Sequence, residues 1–138
     1  MVDEPVTIHI AADVDIVSAR ELGRRVAESL GFSATDATLI ATAISEVARN
    51  ITTYAGDGEI EVVALREPRR VGIEVVARDR GPGIADLDRA LQDGFSSGRG
   101  TGLGLPGTRR LMDEFSVIAP VGNGTTVTMR KWMARRDS

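Results

Sequence analysis

The stretch VGIEVVARDRGPG, residues 71–83, carries an alternating apolar row straight into a cluster of glycines. Val71, Ile73, Val75, Ala77 and Asp79 fall on one face by the two-residue period of a strand. A carboxylate at the end of an inward-facing apolar row is costly unless a hydrogen-bonding partner meets it. A ligand amine would be one such partner. Gly81-Pro82-Gly83 follows at once, and residues without bulk let backbone approach a ligand closely. Taken alone, the segment Asp79 to Gly83 also fits an ordinary surface turn.

Upstream of this strand, residues 59–65 read as its hairpin partner, joined through a charged turn containing Pro68. Further back, Val6, Ile8 and Ile10 alternate with polar neighbours and predict a first strand, with His9 on its other, exposed face. A first helix is expected from Asp13 or Asp15, either of which could cap it, to a stop at Gly31. Ala19, Leu22, Val26 and Leu30 form its apolar stripe. Ser33 with Asp36 three residues on opens a second helix that runs through Ala55, and Gly56-Asp57-Gly58 ends it.

Downstream lies a glycine-rich segment over residues 80–101, with room for a short helix at 86–92. A third helix should begin within GLGLPGTRRLMDEF, where Pro106 is tolerated in the first turn. Strands at 115–119 and 125–132, joined by the turn Gly122-Asn123-Gly124, complete the pattern, and residues 134–138 form a polar tail. The order β-α-α-β-β-α-β-β predicts an α/β two-layer sandwich. Its sheet is expected to be mixed, mostly antiparallel, of about five strands, with three main helices on one face. With 138 residues, no repeat and no linker, one domain over 1–138 is expected.

Composition narrows the chemistry. Apolar residues make up 42%, which suits a packed core, but aromatics only 4%, so Val, Ile, Leu and Ala must fill it. Seventeen basic against 20 acidic residues leave a net charge of −3, with no basic surplus for a nucleic-acid backbone. The absence of cysteine excludes disulfides, zinc–thiolate sites and cysteine nucleophiles, and His9 alone cannot build a multi-histidine metal site. No stretch has the length of a membrane span, and the acidic N-terminus is unlike a signal peptide, so a cytoplasmic protein without membrane contact is expected.

On the second helix, at 100° per residue with Glu46 as zero, Asn50 lies at about 40°, Thr42 at about −40° and Thr53 at about −20°. Ile40, Ile44, Val47 and Ile51 span roughly 100° to 160°, the core side. Ser45, Arg49 and Thr52 fall on the expected solvent side. Glu46 and Asn50 thus share the margin where a cleft could form, though two polar edge residues of a plain amphipathic helix would look the same.

The run Gly100-Thr101-Gly102-Leu103-Gly104-Leu105 stands just before the third helix, an arrangement that can offer backbone N–H groups to phosphate. A merely flexible loop is the alternative. A Walker A loop would need Gly-Lys, and the only lysine is Lys131, so that motif is excluded. Gly102-x-Gly104-x-x-Gly107 matches a dinucleotide fingerprint literally but follows a loop rather than a first strand. Thr125, after Gly124, is in phase with Val127 and Met129 and so faces inward as Asp79 does. The exposed Arg20, Arg24 and Arg25 on the first helix could dock an acidic partner or simply be solvated.

Four pieces in order, Glu46-Val-Ala-Arg-Asn50, Asp79-Arg-Gly-Pro-Gly83, Gly100-Thr-Gly-Leu-Gly-Leu105 and Gly124-Thr125, resemble the boxes of the GHKL ATPase superfamily, which includes gyrase-type ATPases and histidine-kinase catalytic domains. The resemblance implies the Bergerat ATP-binding fold. The short length is similar to the bacterial anti-sigma-factor serine/threonine kinases. Within them, Ala43-Ile-Ser-Glu-Val-Ala-Arg-Asn-Ile51, Asp93-Gly-Phe-Ser-Ser97 and Gly104-Leu-Pro-Gly-Thr-Arg-Arg-Leu-Met-Asp-Glu-Phe115 resemble the RsbT-type switch kinases of the stressosome.

By that resemblance, Asp79 accepts a hydrogen bond from the adenine amine, Thr125 assists through water, and Gly81 and Gly83 line the nucleotide. Asn50 helps to hold Mg2+, and Gly100, Thr101, Gly102, Leu103, Gly104 and Leu105 surround the phosphates. Glu46 is the general base. Residues 84–101 are a lid from which Arg99 reaches the γ-phosphate. The implied partners are a STAS-domain protein carrying the acceptor serine and a PP2C-type phosphatase activated on release. Two alternatives accompany this: an anti-sigma factor that holds a sigma subunit and phosphorylates its antagonist, and a module that binds ATP with negligible turnover.

Overall fold

The structure, a computed structural model, describes residues 3–84 and 105–135. Strand β1 (Val6–Ile10) leads into helix α1 (Asp13–Leu30) and helix α2 (Ala34–Asn50), which continues as a π-helical segment, Ile51–Ala55. Strands β2 (Gly58–Arg66) and β3 (Arg70–Asp79) follow, then helix α3 (Leu105–Leu111) and strands β4 (Glu114–Ile118) and β5 (Thr125–Ala134). The strand order is β1-β2-β3-β5-β4, and each neighbouring pair is antiparallel. The sandwich expected from the sequence is present, with the sheet narrowed from mostly to wholly antiparallel among the described strands. The short helix expected at 86–92 lies outside the described residues.

Local chemistry explains most helix ends. Ser33 Oγ accepts the Asp36 N–H at 3.0 Å and caps α2, as the capping pattern predicts. Gly31, at φ 102°, closes α1. The start of α1 differs from expectation. Ala12 is the N-cap, and Asp15 works from inside the helix, its carboxylate accepting the N–H groups of Ala11 at 2.9 Å and Ala12 at 3.0 Å. The Asp15 carboxylate thus forms the reciprocal half of a capping box at the Ala12 N–H, while Ala12 has no side-chain oxygen for the first-turn N–H groups.

The core lies between the helices and one sheet face. Ile10, Ile60, Val62, Ile73, Val75, Val127 and Met129 meet Ile16, Ala19 and Ala27 of α1 and Ile40, Ile44 and Val47 of α2. Each fully buried aliphatic side chain contributes about 1.5–3 kcal/mol, against about 0–1 kcal/mol for an exposed ion pair, so this layer decides the fold. Gly23 lets the two helices close: a Cβ there would come within 2.1 Å of Ile44 Cδ1. Among the described residues no helix covers the opposite sheet face. There Arg78 bridges Glu59 and Glu61, Arg130 bridges Glu74 and Glu114, and these long side chains shield Val63 and Val76, which stay only 4% and 7% exposed.

The solvent side predicted for α2 needs one correction. Ser45 is buried at 9% exposure, and its Oγ donates to the Ala41 carbonyl at 3.1 Å. The helix packs against both α1 and α3. Its buried arc is consequently wider than the single apolar stripe of a one-sided helix, and Ala37, Ala48 and Ala41 extend it as far as Ser45.

Candidate functional site

Sheet register assembles one end of the site. Gly58 stands opposite Asp79 across β2 and β3, and Asp79 stands opposite Thr125 across β3 and β5. Asp79 Oδ1 accepts the Gly81 N–H at 2.8 Å and the Thr125 N–H at 3.2 Å. Among the described residues Oδ2 accepts no hydrogen bond, which leaves it able to receive a donor from a ligand. Thr125 itself is half-buried, in phase with the buried Val127 and Met129 as its position predicts.

Backbone crowds closely around this carboxylate. A Cβ on Gly81 would lie 2.7 Å from Ala55 Cβ and 3.1 Å from Asp79 Oδ1. Gly124, at φ 82°, would put a Cβ 2.2 Å from the Asp79 carbonyl oxygen, and Gly83, at φ 73°, would put one 2.2 Å from the Pro120 carbonyl oxygen. Residues 81–84 are stitched to the β4–β5 connection: Gly124 N–H donates to Gly81 C=O at 2.9 Å, Gly122 N–H to Pro82 C=O at 2.8 Å and Ile84 N–H to Ala119 C=O at 3.1 Å. This segment is therefore a turn pinned against a second one.

Glu46 and Asn50 are both half-buried on α2, one turn apart, as the helical period predicts. Glu46 Oε1 lies 3.7 Å from Arg49 Nη1, an exposed i,i+3 pair of small energetic weight. Directly after Asn50 the helix widens into the π segment, whose far end, Ala55, abuts Gly81, while Ile51 Cγ2 lies 2.9 Å from where a Gly58 Cβ would sit. This segment joins the helix carrying Glu46 and Asn50 to the strands carrying Asp79. It also shifts the phase of residues 51–55, so the place beside Glu46 that a 3.6-residue period assigns to Thr53 does not carry over.

Leu105 opens α3 as expected, and its side chain is packed away at 1% exposure, which leaves its backbone as the part able to face a ligand. Arg99, Gly100, Thr101, Gly102, Leu103 and Gly104, with the proposed lid and the Asp93–Ser97 stretch, lie outside the described residues. Among the described residues no cluster of three or more His, Cys, Asp or Glu side chains could hold a metal by itself.

Sequence reasoning missed Gly58, taken there only as a helix stop. Its part in the site follows from register, which composition does not encode. Arg20, Arg24 and Arg25 are less free than their spacing suggests: Arg24 hydrogen-bonds Glu21, Arg20 Nε lies 4.0 Å from Glu21, and Arg25 Nε donates to the Glu21 carbonyl at 3.4 Å. The Arg24 hydrogen bond, with the charges of Arg24, Arg20 and Arg25, holds the Glu21 carboxyl below the usual range. An open hollow of about 500 Å3 on the sheet face opposite α1 and α2 touches Asp79 from outside, between His9, Asp57, Arg78 and Arg80. His9 is exposed, as expected, and its Nε2 lies 3.7 Å from Asp57.

Comparison with known proteins bears on this geometry. The model of the histidine kinase-like ATPase domain matches residues 10–131. The chain is 48% identical over 126 residues to the serine/threonine-protein kinase RsbT of Bacillus subtilis (strain 168), spanning 91% of this chain and 95% of that one. It is 33% identical over 99 residues to the anti-sigma F factor of Shouchella clausii (strain KSM-K16), 68% of each chain. Among solved structures, the RsbU and RsbW domains of a Mycobacterium tuberculosis protein align with TM-score 0.63 at 24% identity, over 96% of this chain and 33% of that one. The mycobacterial sensor histidine kinase MprB aligns with TM-score 0.55 at 20% identity, over 97% and 99%. The structural likenesses establish a shared fold.

Proposed function

The chain belongs to the histidine kinase-like ATPase domain family, and on that premise we propose that it is an ATP-dependent protein serine/threonine kinase that switches between partners. The observation that carries this reading is the 48% identity to a serine/threonine-protein kinase across nearly the whole of both chains. The proposed acceptor is a serine of a STAS-domain protein. Once released from that protein, the kinase binds and activates a PP2C-type phosphatase. The proposed setting is the cytoplasm, in keeping with the absence, among the described residues, of any helix long and apolar enough to cross a membrane.

The residues divide the work as follows. Asp79 Oδ2 receives the adenine amine, its geometry supported by the two N–H groups that hold Oδ1. Gly81, Gly83 and Thr125 shape the walls beside it. Asn50 contributes one ligand to Mg2+, whose role when bound is to neutralise charge on the phosphates. In this reading Gly102, Leu103 and Gly104 offer backbone N–H groups to the phosphates, Gly100, Thr101 and Leu105 belong to the same nucleotide-binding run, and Arg99 serves the γ-phosphate. Glu46 leaves its weak pairing with Arg49 to take the proton from the acceptor hydroxyl. The serine oxygen then bonds to the γ-phosphorus, the bond to the β–γ bridging oxygen breaks, and ADP departs.

The test is transfer of label from γ-labelled ATP, with Mg2+, to a STAS-domain protein. Transfer to serine supports the reading, and binding of ATP without transfer sinks it in favour of a non-catalytic module. A second reading, an anti-sigma factor, draws on the 33% identity to the anti-sigma F factor. Co-purification separates the two: retention of a sigma subunit but no STAS partner would favour the second.

A further inference from the structure

We propose that Lys131 is a positioning residue for the phosphate end of the nucleotide site, acting through α3. The inference rests on the kinase reading above and assigns a role to a residue that reading leaves aside. Lys131 sits opposite the fully buried Ile73, in the same inward-facing row of β5 as Met129 and Met133. An ammonium there is costly unless it reaches a polar partner. It does: Nζ donates to the Leu111 carbonyl at 3.0 Å, at the last residue of α3.

That bond gives one of the orphan carbonyls at the end of α3 a charged donor, and places a cation at the negative end of the helix. Adjacent contacts hold the same corner to β5. Asp113 N–H donates to the Arg130 carbonyl at 2.9 Å, and Trp132 N–H donates to the Asp113 carboxylate at 2.7 Å. These act on the chain beyond the helix, whereas Lys131 grips the helix itself. At its other end α3 is anchored by burial, with Leu105, Pro106 and Thr108 buried and α2 alongside.

Leu105 is the residue on which the run Gly100-Thr101-Gly102-Leu103-Gly104 ends. A helix of one to two turns, fixed at its far end by a lysine and at its near end by packing, sets where that run must finish. β5 begins at Thr125, bonded to Asp79, and carries Lys131 six residues later, roughly 20 Å along the strand. One strand thereby references both the adenine end and the helix that follows the phosphate-binding run. Loss of the Lys131 bond should loosen the second while leaving the first in place.

The test compares ATP with adenosine, which carries no phosphate, on the full chain by NMR titration and calorimetry, in wild type, Lys131→Met and Lys131→Arg. Lys131→Met keeps the apolar stem and removes the donor. It should weaken ATP several-fold, because the loosened end of α3 must then be ordered on binding, and leave adenosine unchanged. Lys131→Arg, which can still donate to Leu111, should restore most of the ATP affinity. Equal losses for both ligands, or none for either, would overturn the proposal, as would a failure of Lys131→Arg to restore binding. Should Lys131→Met melt below the assay temperature, Lys131→Leu, which also lacks a donor, is compared at a lower temperature and the same comparison decides. If wild type binds neither ligand, the kinase reading falls and this role with it; wild-type binding with equal losses overturns the role of Lys131 alone.

Discussion

The Asp79 carboxylate accepts the Thr125 backbone N–H at 3.2 Å across the β3–β5 pair, with the same oxygen that takes the Gly81 N–H at 2.8 Å. Two donors, one from the turn after β3 and one from the start of β5, therefore fix the rotation of one side chain. Its second oxygen is oriented before any ligand arrives, which lowers the ordering cost of binding.

Asp79→Asn should leave the fold intact and weaken ATP at least about tenfold. An asparagine can keep its carbonyl oxygen on Gly81 and Thr125, but its NH2 then stands where Oδ2 was and meets the adenine amine donor to donor. Isothermal calorimetry measures this directly, and unchanged affinity would remove Asp79 from the base contact.

Glu46→Ala should lower phosphoryl transfer to the serine acceptor about 10²- to 10⁴-fold, with ATP affinity nearly unchanged. Stability should barely move, because the pair broken with Arg49 is exposed. Transfer by the mutant at the wild-type rate in single-turnover assays would mean that another group, or none, takes the proton.

Two glycine substitutions should have opposite signs. Gly124→Ala forces a Cβ into positive φ and onto the Asp79 carbonyl, so the melting temperature should fall by an amount equivalent to more than about 1–2 kcal/mol. Gly107→Ala, on an exposed position of α3 with nothing within 4 Å of the new Cβ, should gain roughly 0.5–1 kcal/mol. Thermal melts of the two variants beside wild type check the contrast, and a stabilised Gly124→Ala would contradict the close approach at Asp79.

Glu21 supplies a pH dependence. Its folded pKa lies below the unfolded value because Arg24 hydrogen-bonds it and Arg24, Arg20 and Arg25 surround it. The pair therefore stabilises the fold above the ordinary glutamate range, and that contribution is lost as pH falls through the folded value. Wild type should melt slightly above Glu21→Gln at neutral pH, and the difference should vanish in acid. An advantage that persists in acid would show that the effect is not ionic.

The order of elements was legible because two physical periods differ so plainly. Residues 71–79 alternate by two, α2 repeats by 3.6, and Ser33 and Gly31 mark helix ends that the structure keeps. Asp79 could be singled out as a carboxylate ending an apolar row. Ser45 was placed on the wrong side because a wheel drawn for one helix cannot know that α2 packs against α1 and α3 as well as the sheet. Asp13 or Asp15 was expected to be the cap, but Ala12 holds that place and Asp15, inside the first turn, takes the N–H groups of Ala11 and Ala12, which only the backbone path around Ala12 decided.

The sequence by itself determined the two-layer α/β class, the inward position of Asp79 and Thr125, and the helical stripe shared by Glu46 and Asn50, all of which follow from local periodicity. Tertiary structure alone decided which backbone groups hold the Asp79 carboxylate, why Gly58, Gly81 and Gly124 leave no room for a Cβ, and that Lys131 reaches across to Leu111. Each of those depends on register and close approach between segments distant in the chain. A side-chain period repeats along one segment, whereas the distance between two segments is set by the packing of everything between them.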